Sequence, residues 1–341
     1  LGLALAVIAT KGMSPLTAFN IPLLSSVTVD STALGFILLM AVATGIVVGL
    51  APAVQVSLIP LTASLNQRGS SESRRHRWMR GGLVILEIAF ACVLLVGAGL
   101  LTRSFLRVLD VNLGFQPENT AVLRIDPNSH YATRAQKNAY LDEALRLVKS
   151  IPGVTAVGVT DTLPLGRNRT WGSPAKGQTY REGDYPSSFV RLVSDGYLGA
   201  MGMTLRKGHD FSGRDTPEGT QVIMINETLA NRLWPGENPI GKIIQGDCAK
   251  EREVVGVVGD VRHLALEKGS GSEMYIPMRQ CDDMESWDLV VRSRMPLATL
   301  SAMVDASIRQ IAPDLPKGGM RPLTQVVDHA VSPRRFVVFL L

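Results

Sequence analysis

The sequence predicts a membrane protein with transmembrane α-helices and an extracytoplasmic α+β domain. Hydrophobic residues make up 46% of the 341 residues and charged residues only 19%. The apolar residues concentrate in the first hundred positions, as expected for lipid-facing helices joined to an ordinary globular part. That second part has the polarity of a soluble domain and shows both helical and strand periodicity.

Two apolar runs reach the roughly 20 residues that a helix needs to cross a bilayer. The first, 34–56, has no charged residue, and the second, 82–101, contains only Glu87. An intramembrane carboxylate is a functional candidate, but Glu87 lies close enough to one end of the run to reach the membrane interface. We predict an interfacial or packing role for Glu87, with proton or ion transport as the alternative.

Small residues recur every four positions along the first run. This spacing places Ala41, Gly45, Gly49 and Ala53 on one helix face. Such a face lets another helix approach closely, and we predict that it packs against a neighbouring helix. The alternative is that the stripe reflects only the frequency of small residues in membrane helices.

A basic linker, residues 58–81, separates the two runs and predicts the orientation of the chain. Basic residues favour the cytoplasmic side of a membrane, so we expect the linker inside as an anchor and everything after the second run outside. The net charge of +5 is thereby explained without nucleic acid, for which no aromatic-interleaved basic motif is present. The anchor residues are Arg68, Arg74, Arg75, Arg77 and Arg80.

Two βαβ patterns lie at opposite ends of the outer region, 104–333. We predict that they form two split βαβ units, with a strand-rich subdomain inserted at about 195–285. The predicted units are strand 120–126, helix 132–150 and strand 154–160, then strand 288–292, helix 297–311 and strand 319–323. The predicted insert has strands at 221–225, 240–245, 253–258 and 273–276, and a short helix capped by Asn226.

Sequence motifs of catalysis are missing. The segment 236–243 fits GxxxxGK but has Ile243 where a phosphate-binding loop needs Ser or Thr, and its predicted context is helix then strand. No HExxH or GxSxG occurs. His209-Asp210 and the stretch 260–263 are predicted to be turns or surface networks. We therefore expect no enzyme, no catalytic residue, no bound metal and no cofactor.

Three cysteines are present, without a CxxC motif that would indicate a zinc or thioredoxin-like site. Cys92 falls in an apolar run and is expected to behave as a small hydrophobic residue. Cys248 and Cys281 fall in the outer region, where a disulfide is permitted outside the cytoplasm. The sequence leaves open whether these two residues pair.

Both ends of the chain are apolar. Residues 1–10 are too short to span a bilayer and lack the basic start of a signal peptide. Residues 336–341 stop within an apolar run. We therefore expect a fragment of a longer membrane protein whose flanking helices are cut at both ends.

Long, ordered stretches of the sequence resemble a known family. The second span and its sequel, together with SDGYLGAMGMTLRKGHDFSGRD, VIMINETLANRLWPGENPIGK and VVGVVGDVRH, resemble a MacB-like periplasmic core domain. DSTALGFILLMAVATGIVVGLAPAVQVS resembles the last helix of an FtsX-like permease domain, and SPRRFVVFLL the start of the next helix. This order is similar to that of the duplicated orphan ABC transporter permeases. It implies the end of a first permease domain over 1–57, the linker 58–81, a helix over 82–101, a core domain over 104–333 and a truncated helix over 334–341.

The resemblance implies a permease subunit of a MacB/FtsX-type ABC transporter for export or efflux. Such a multi-pass protein of the bacterial inner membrane has a large periplasmic domain with a porter-like core. A separate cytoplasmic ATPase, which this sequence does not contain, would move that domain through the membrane helices (mechanotransmission). Expected partners are that ATPase, membrane lipid and a second copy or duplicated half, giving a homodimer or pseudo-dimer, with no nucleic acid. The alternatives are a membrane-anchored regulator or scaffold of an envelope enzyme, without transport, and a membrane-tethered enzyme.

Overall fold

The structure is a computed structural model in which the chain divides into two units. The first comprises Leu1–Phe105 and Pro333–Leu341, and the second Leu106–Ser332. The residues that the structure describes are 35–36, 39–46, 74–109, 111–127, 130–181, 183–246, 248–266, 268–283, 287–314 and 318–330.

The described part of the first unit is helical. Residues 35–36 and 39–46 are helical, and helix α1, Arg74–Leu109, has 36 residues and continues into the second unit. The end of the predicted linker is therefore helical and continuous with the segment 82–101. Among the described residues, no helix has an apolar stretch long enough to cross a membrane. Both predicted spans remain predictions.

The second unit consists of strands and short helices in an order close to the predicted one. After α1, its elements are β1 (Thr120–Ile125), α2 (Arg134–Lys149), β2 (Val154–Thr160), β3 (Thr170–Gly172), β4 (Ser187–Val193), α3 (Tyr197–Met201), β5 (Leu205–Gly208), β6 (Val222–Asn226), α4 (Glu227–Leu233), β7 (Ile243–Gln245), β8 (Glu251–Val258), β9 (Glu273–Pro277), β10 (Trp287–Ser293), α5 (Leu297–Ile311), β11 (Arg321–Pro322) and α6 (323–330).

The two predicted βαβ units interleave in one antiparallel sheet. β10 lies between β1 and β2 and is antiparallel to both, while β11 pairs with the outer edge of β1. The helices α2 and α5 contact each other. We call this part the βαβ half; its split connectivity is the one that the sequence predicts.

Local signals explain the helix of the first unit of this half. Thr133 accepts a hydrogen bond from the backbone N–H of Gln136, whose side chain accepts one in return from the backbone N–H of Thr133, so that a capping box begins α2. Leu141, Ala144 and Val148 are buried, and this spacing is the apolar stripe that predicts the helix.

The strands of the insert continue the same sheet. Among the described residues, the full order is β11-β1-β10-β2-β4-β9-β6-β8-β5, with β3 paired to β4 and β7 paired to β8. We call β3 to β9 the insert half. Its first strands, β3 and β4, precede the predicted insert at about 195–285 and were not predicted, and no break in the sheet separates the two halves.

Apolar clusters cover both faces of the sheet because side chains alternate along each strand. In β1, Leu123 belongs to the cluster under α2 and α5, whereas Val122 belongs to the cluster on the other face, which includes α3.

Candidate functional site

The chain that enters the second unit and the chain that leaves it pack into one apolar cluster. The incoming segment, 111–119, contributes Phe115, and the outgoing helix α6 contributes Leu323; both are buried. Their neighbours in this cluster include the buried side chains of α3, and Leu113, Val326 and Val327 pack against it. We define the junction cluster as Leu113, Phe115, Tyr197, Leu198, Met201, Leu323, Val326 and Val327.

Hydrogen bonds fasten the incoming segment to both halves of the sheet. The backbone N–H of Gln116 donates to the carbonyl of Met201 over 2.8 Å, and that of Arg262 donates to the carbonyl of Leu113 over 2.9 Å. The guanidinium of Arg292, on β10, donates to the carbonyl of Gln116 over 2.8 Å and to that of Glu118 over 3.2 Å. The segment is thus fixed to the βαβ half and to the loop that follows β8.

A glycine allows the closest approach of the incoming segment to that loop. Gly114 has a φ of +79°, and a Cβ added there would lie 2.0 Å from the carbonyl oxygen of Asp260. Both the left-handed backbone and the contact exclude a side chain.

The side chain of Asp260 continues the connection into the insert half. Its carboxylate accepts hydrogen bonds from the Thr228 backbone N–H over 3.0 Å, from the Thr228 hydroxyl over 2.7 Å and from the Asn226 amide over 2.7 Å. The amide oxygen of Asn226 accepts from the backbone N–H of Leu229 over 3.0 Å and from that of Glu273 over 2.9 Å. Asp260 therefore joins the incoming segment to the start of α4 and to β9.

A buried ion cluster lies beside this loop. Arg191 on β4 and Glu273 on β9 are at most 1% exposed, and the Nε of Arg191 is 3.1 Å from Oε1 of Glu273. Oε2 of Glu273 lies 2.5 Å from Nε2 of His263 and accepts a hydrogen bond from the Tyr275 hydroxyl. A buried carboxylate of this kind is stable only when it is paired and hydrogen-bonded.

The geometry assigns the protons of this cluster. Nη2 of Arg191 lies 3.2 Å from Nδ1 of His263, and a guanidinium can only donate, so Nδ1 accepts. The Nε2–H of the ring donates to Glu273. Burial alone raises the pKa of Glu273, but His263 and Arg191 together outweigh burial and hold that pKa below its usual value. Burial and the neighbouring Glu273 raise the pKa of Tyr275 well above its usual range.

A model of the MacB-like periplasmic core domain matches residues 82–311, more than half of the chain. The chain belongs to this family. The predicted resemblance to a MacB-like periplasmic core domain is therefore confirmed. The macrolide export ATP-binding/permease protein MacB of Mannheimia succiniciproducens is 26% identical over 81 residues, which cover 24% of this chain and 12% of that protein.

Two solved structures align with part of this chain. The extracellular domain of the noncanonic ABC-type transporter YknZ from Gram-positive bacteria has 18% identity and a TM-score of 0.37, covering 56% of this chain and 93% of that chain. The periplasmic region of MacB from Actinobacillus actinomycetemcomitans has 14% identity and a TM-score of 0.40, covering 62% and 94%.

The predicted membrane residues belong to the first unit. Ala41 and Gly45 are exposed, and a Cβ on Gly45 would meet nothing within 4 Å. Glu87 is exposed on α1. Four residues of the predicted anchor fall within helix α1: Arg74, Arg75, Arg77 and Arg80. The fifth anchor residue, Arg68, lies outside the described residues, as do Gly49 and Ala53 of the predicted packing face. The roles of all these residues remain predictions.

The structure joins Cys248 and Cys281 in a disulfide with Cα atoms 5.5 Å apart, the pairing that the sequence left open. Cys92 is a free, exposed cysteine. Among the described residues, no group of metal-binding side chains is gathered into a site.

Sequence reasoning missed the buried ion cluster of the MacB-like domain. It predicted a turn or surface network at 260–263, and this is wrong for His263, which is 2% exposed. By contrast, His209 is exposed and contacts the carbonyl of its neighbour Asp210. The available signal was an arginine inside the apolar stretch 189–193, since a charge there needs a buried partner.

Proposed function

We propose that this chain is part of the permease subunit of a MacB/FtsX-type ABC transporter. In this proposal a separate ATPase moves the membrane helices, and the MacB-like domain follows that movement and drives export or efflux outside the membrane. The observation that carries the proposal is the junction cluster, because the incoming segment and the outgoing helix share one packed group of side chains. A displacement of either segment must repack that group, since close-packed interiors transmit strain.

The surface of α1 supports a place in the lipid bilayer. Apolar side chains on consecutive positions, including Val93, Leu94 and Leu95, are more than half exposed. Successive helical residues point about 100° apart, so these side chains cover more than one face. A helix that is apolar all round is stable in a large core or in a membrane. We infer that lipid surrounds the segment 82–101 of α1 and that the protein is a multi-pass protein of the bacterial inner membrane with a periplasmic MacB-like domain.

The segment 236–243, which fits GxxxxGK, is not arranged as a phosphate-binding loop. Lys242, the lysine of the loop-like GxxxxGK segment, forms an ion pair with Glu237 and lies over the ring of Trp234 at 5.3 Å. Strand β7 follows at Ile243, where a phosphate-binding loop would begin a helix. In this proposal the ATPase is a separate chain, and two permease halves, from two copies or from one duplicated chain, complete the transporter.

The test is co-purification of the full-length parent protein with an ABC ATPase from detergent-solubilised membranes, followed by reconstitution and ATP hydrolysis assays. We expect an ATPase to bind and its turnover to depend on the permease. Phe115→Ala should weaken that dependence, whereas Leu297→Ala, which truncates an apolar side chain that is 37% exposed, should not. A well-folded preparation without any ATPase would contradict transport and favour the regulator or scaffold.

A further inference from the structure

The two halves of the sheet meet at a narrow joint. β2 and β4 share one register pair, Thr160 with Val193. Two side chains extend the joint: the Ser194 hydroxyl accepts from the backbone N–H of Val159 over 2.8 Å, and the Asp161 carboxylate accepts from that of Leu192 over 2.9 Å. Strand pairing alone thus holds the halves together much less firmly than it holds each half.

A second connection bridges the same two halves. We call Arg279–Asp283 the clasp segment. Arg279 pairs with Asp142 on α2 and, over 3.1 Å, with Asp195. Asp282 pairs with Lys137 on α2 over 3.0 Å. The clasp segment therefore ties the end of β9 to the outer surface of the βαβ half.

The other side of the clasp segment is anchored within the insert half. The Gln280 amide donates to the Thr220 carbonyl over 2.9 Å, and its oxygen accepts from the backbone N–H of Val222 over 3.0 Å. The same oxygen accepts from the buried guanidinium of Arg252 over 3.2 Å. Next in the chain, Cys281 is bonded to Cys248. Neighbouring residues of one short segment are thus bound to different elements.

We propose that the Cys248–Cys281 disulfide is a thiol–disulfide exchange site for a dithiol, and that its reduction loosens the joint between the two halves of the MacB-like domain. Access to the two cysteines is unequal. Cys248 is exposed, whereas Cys281 is 2% exposed. Since exchange requires access of a thiolate to a sulfur, the dithiol attacks Cys248.

The dithiol alone supplies the electrons and protons that reduction of the disulfide requires. One of its thiolates bonds to Sγ of Cys248, the Cys248–Cys281 bond breaks, and Cys281 leaves as a thiolate that takes up a proton. The second thiolate of the dithiol then attacks the first sulfur of the dithiol, which is bonded to Cys248 in the mixed disulfide. This attack closes the oxidised dithiol and releases Cys248 as a thiolate that takes up a proton. Two electrons and two protons pass to the protein, and the dithiol becomes a disulfide.

Reduction weakens the clasp because the outward contacts that remain are ion pairs with partly exposed carboxylates, although Arg279 and Lys137 are each 14% exposed. The carboxylates of Asp142 and Asp282 are 53% and 41% exposed, and pairs of this kind contribute little stability. Without the covalent bond, the clasp segment is held by the hydrogen bonds of Gln280, by those of Asp283 with Arg169 and by the packing of Cys281 in the apolar core. The strand pairing at the joint then consists of one register pair with its two backbone hydrogen bonds, Asp161 N–H to Leu192 over 3.0 Å and Ser194 N–H to Val159 over 2.9 Å, and the two side-chain bonds. The contacts of α3 with β2 and β10 add to it. Loosening of this joint does not depend on whether the parent protein transports a solute.

The test uses the full-length protein in detergent, with Cys92→Ala so that, of the three cysteines in these 341 residues, only the disulfide pair reacts. Glutathione, a monothiol, traps the first adduct for mass spectrometry, and dithiothreitol serves as the dithiol for hydrogen exchange. We expect the adduct on Cys248. We also expect about tenfold faster exchange in the peptides around Leu192 and in the clasp segment after reduction, with β1 and β10 unchanged.

Three results would overturn the proposal: an adduct on Cys281, a disulfide that resists dithiothreitol until the protein unfolds, or exchange that rises everywhere or nowhere at the joint. The Cys248→Ala/Cys281→Ala variant should reproduce the reduced pattern without reductant. If this variant does not fold, the reduction time course of the Cys92→Ala protein gives the same readout. Glu251→Gln, which breaks an exposed ion pair with Lys176 inside the insert half, is the matched control and should leave the joint unchanged.

Discussion

The position of a Cβ on Gly114 lies 2.0 Å from the carbonyl oxygen of Asp260, so the incoming segment touches the loop after β8 with no room for a side chain. The carboxylate of the same aspartate binds Thr228 at the start of α4. One residue thus receives the incoming segment on its backbone and holds the insert half with its side chain. This contact connects the chain leaving α1 directly to the insert half.

Gly114→Ala is therefore expected to displace the incoming segment. Strain at a left-handed residue costs on the order of 1 to 3 kcal/mol, and here the backbone clash adds to it. Gly177→Ala is the matched control, because Gly177 has a φ of +82° but open space around its Cβ position. We expect denaturant unfolding to show a clearly larger loss of stability for Gly114→Ala. Equal losses would contradict a role for the contact with Asp260.

Arg191→Met should destabilise the MacB-like domain strongly. It leaves the fully buried Glu273 without its cationic partner, and breaking a buried pair on one side costs roughly 3 to 5 kcal/mol. Chemical denaturation of the variant measures this loss. Arg191→Met/Glu273→Gln should recover part of it, since no unpaired charge remains. Lys176→Met, which removes one partner of an exposed pair, should cost less than about 1 kcal/mol.

Acid should destabilise the fold through Glu273. The folded-state pKa of this group lies below its ordinary value of 4.5, so the unfolded chain takes up a proton first as pH falls. The contribution of Glu273 to the free energy of unfolding is complete above the ordinary value of 4.5. It is lost as the pH falls through the folded-state pKa. Unfolding measured from about pH 6 to pH 3 should therefore show a steeper loss for the wild type than for Glu273→Gln.

Asp161 has the opposite effect on how the stability of the fold changes with pH. Burial raises its pKa, although Arg169 opposes the shift, so the folded state takes up this proton first and gains stability as pH falls. Asp161→Asn should therefore steepen the acid-induced loss of stability. A shallower loss of stability in acid for Asp161→Asn would contradict the assignment for Asp161. A loss equal to that of the wild type for Glu273→Gln would contradict the assignment for Glu273.

Gly45→Leu/Gly49→Leu tests the predicted helix-packing face. A Cβ on Gly45 would meet nothing within 4 Å among the described residues. In an assembly the added volume should keep a neighbouring helix away. We expect membrane cross-linking between permease halves to fall while hydrogen exchange in the MacB-like domain stays unchanged. Unchanged cross-linking would count against the packing face.

Regular local patterns made much of the fold predictable. The helix predicted over 297–311 is α5 with the same limits, and β2 coincides with the strand predicted over 154–160, because side-chain periodicity follows burial directly. Strand β4 was missed since Arg191 interrupts its apolar stretch, and the charge is tolerated only because Glu273, 82 positions away, pairs with it.

Local sequence patterns could not predict the candidate site. Phe115 and Leu323 meet in the junction cluster because strand order, not sequence proximity, gathers them. Likewise, no spacing rule places Cys248 beside Cys281, which the register of β8, β6 and β9 brings together. Pairings between distant segments are set by topology, and a single sequence does not encode them in a readable period.

Hydrogen exchange of the full-length permease with its ATPase, compared with and without a nucleotide that traps the ATP-bound state, tests mechanotransmission most directly. The incoming segment, 111–119, and helix α6 should change their protection together, and Gly114→Ala should uncouple the insert half from that change. Nucleotide-driven turnover that leaves both segments and the junction cluster unchanged would contradict the transmission of movement through this site.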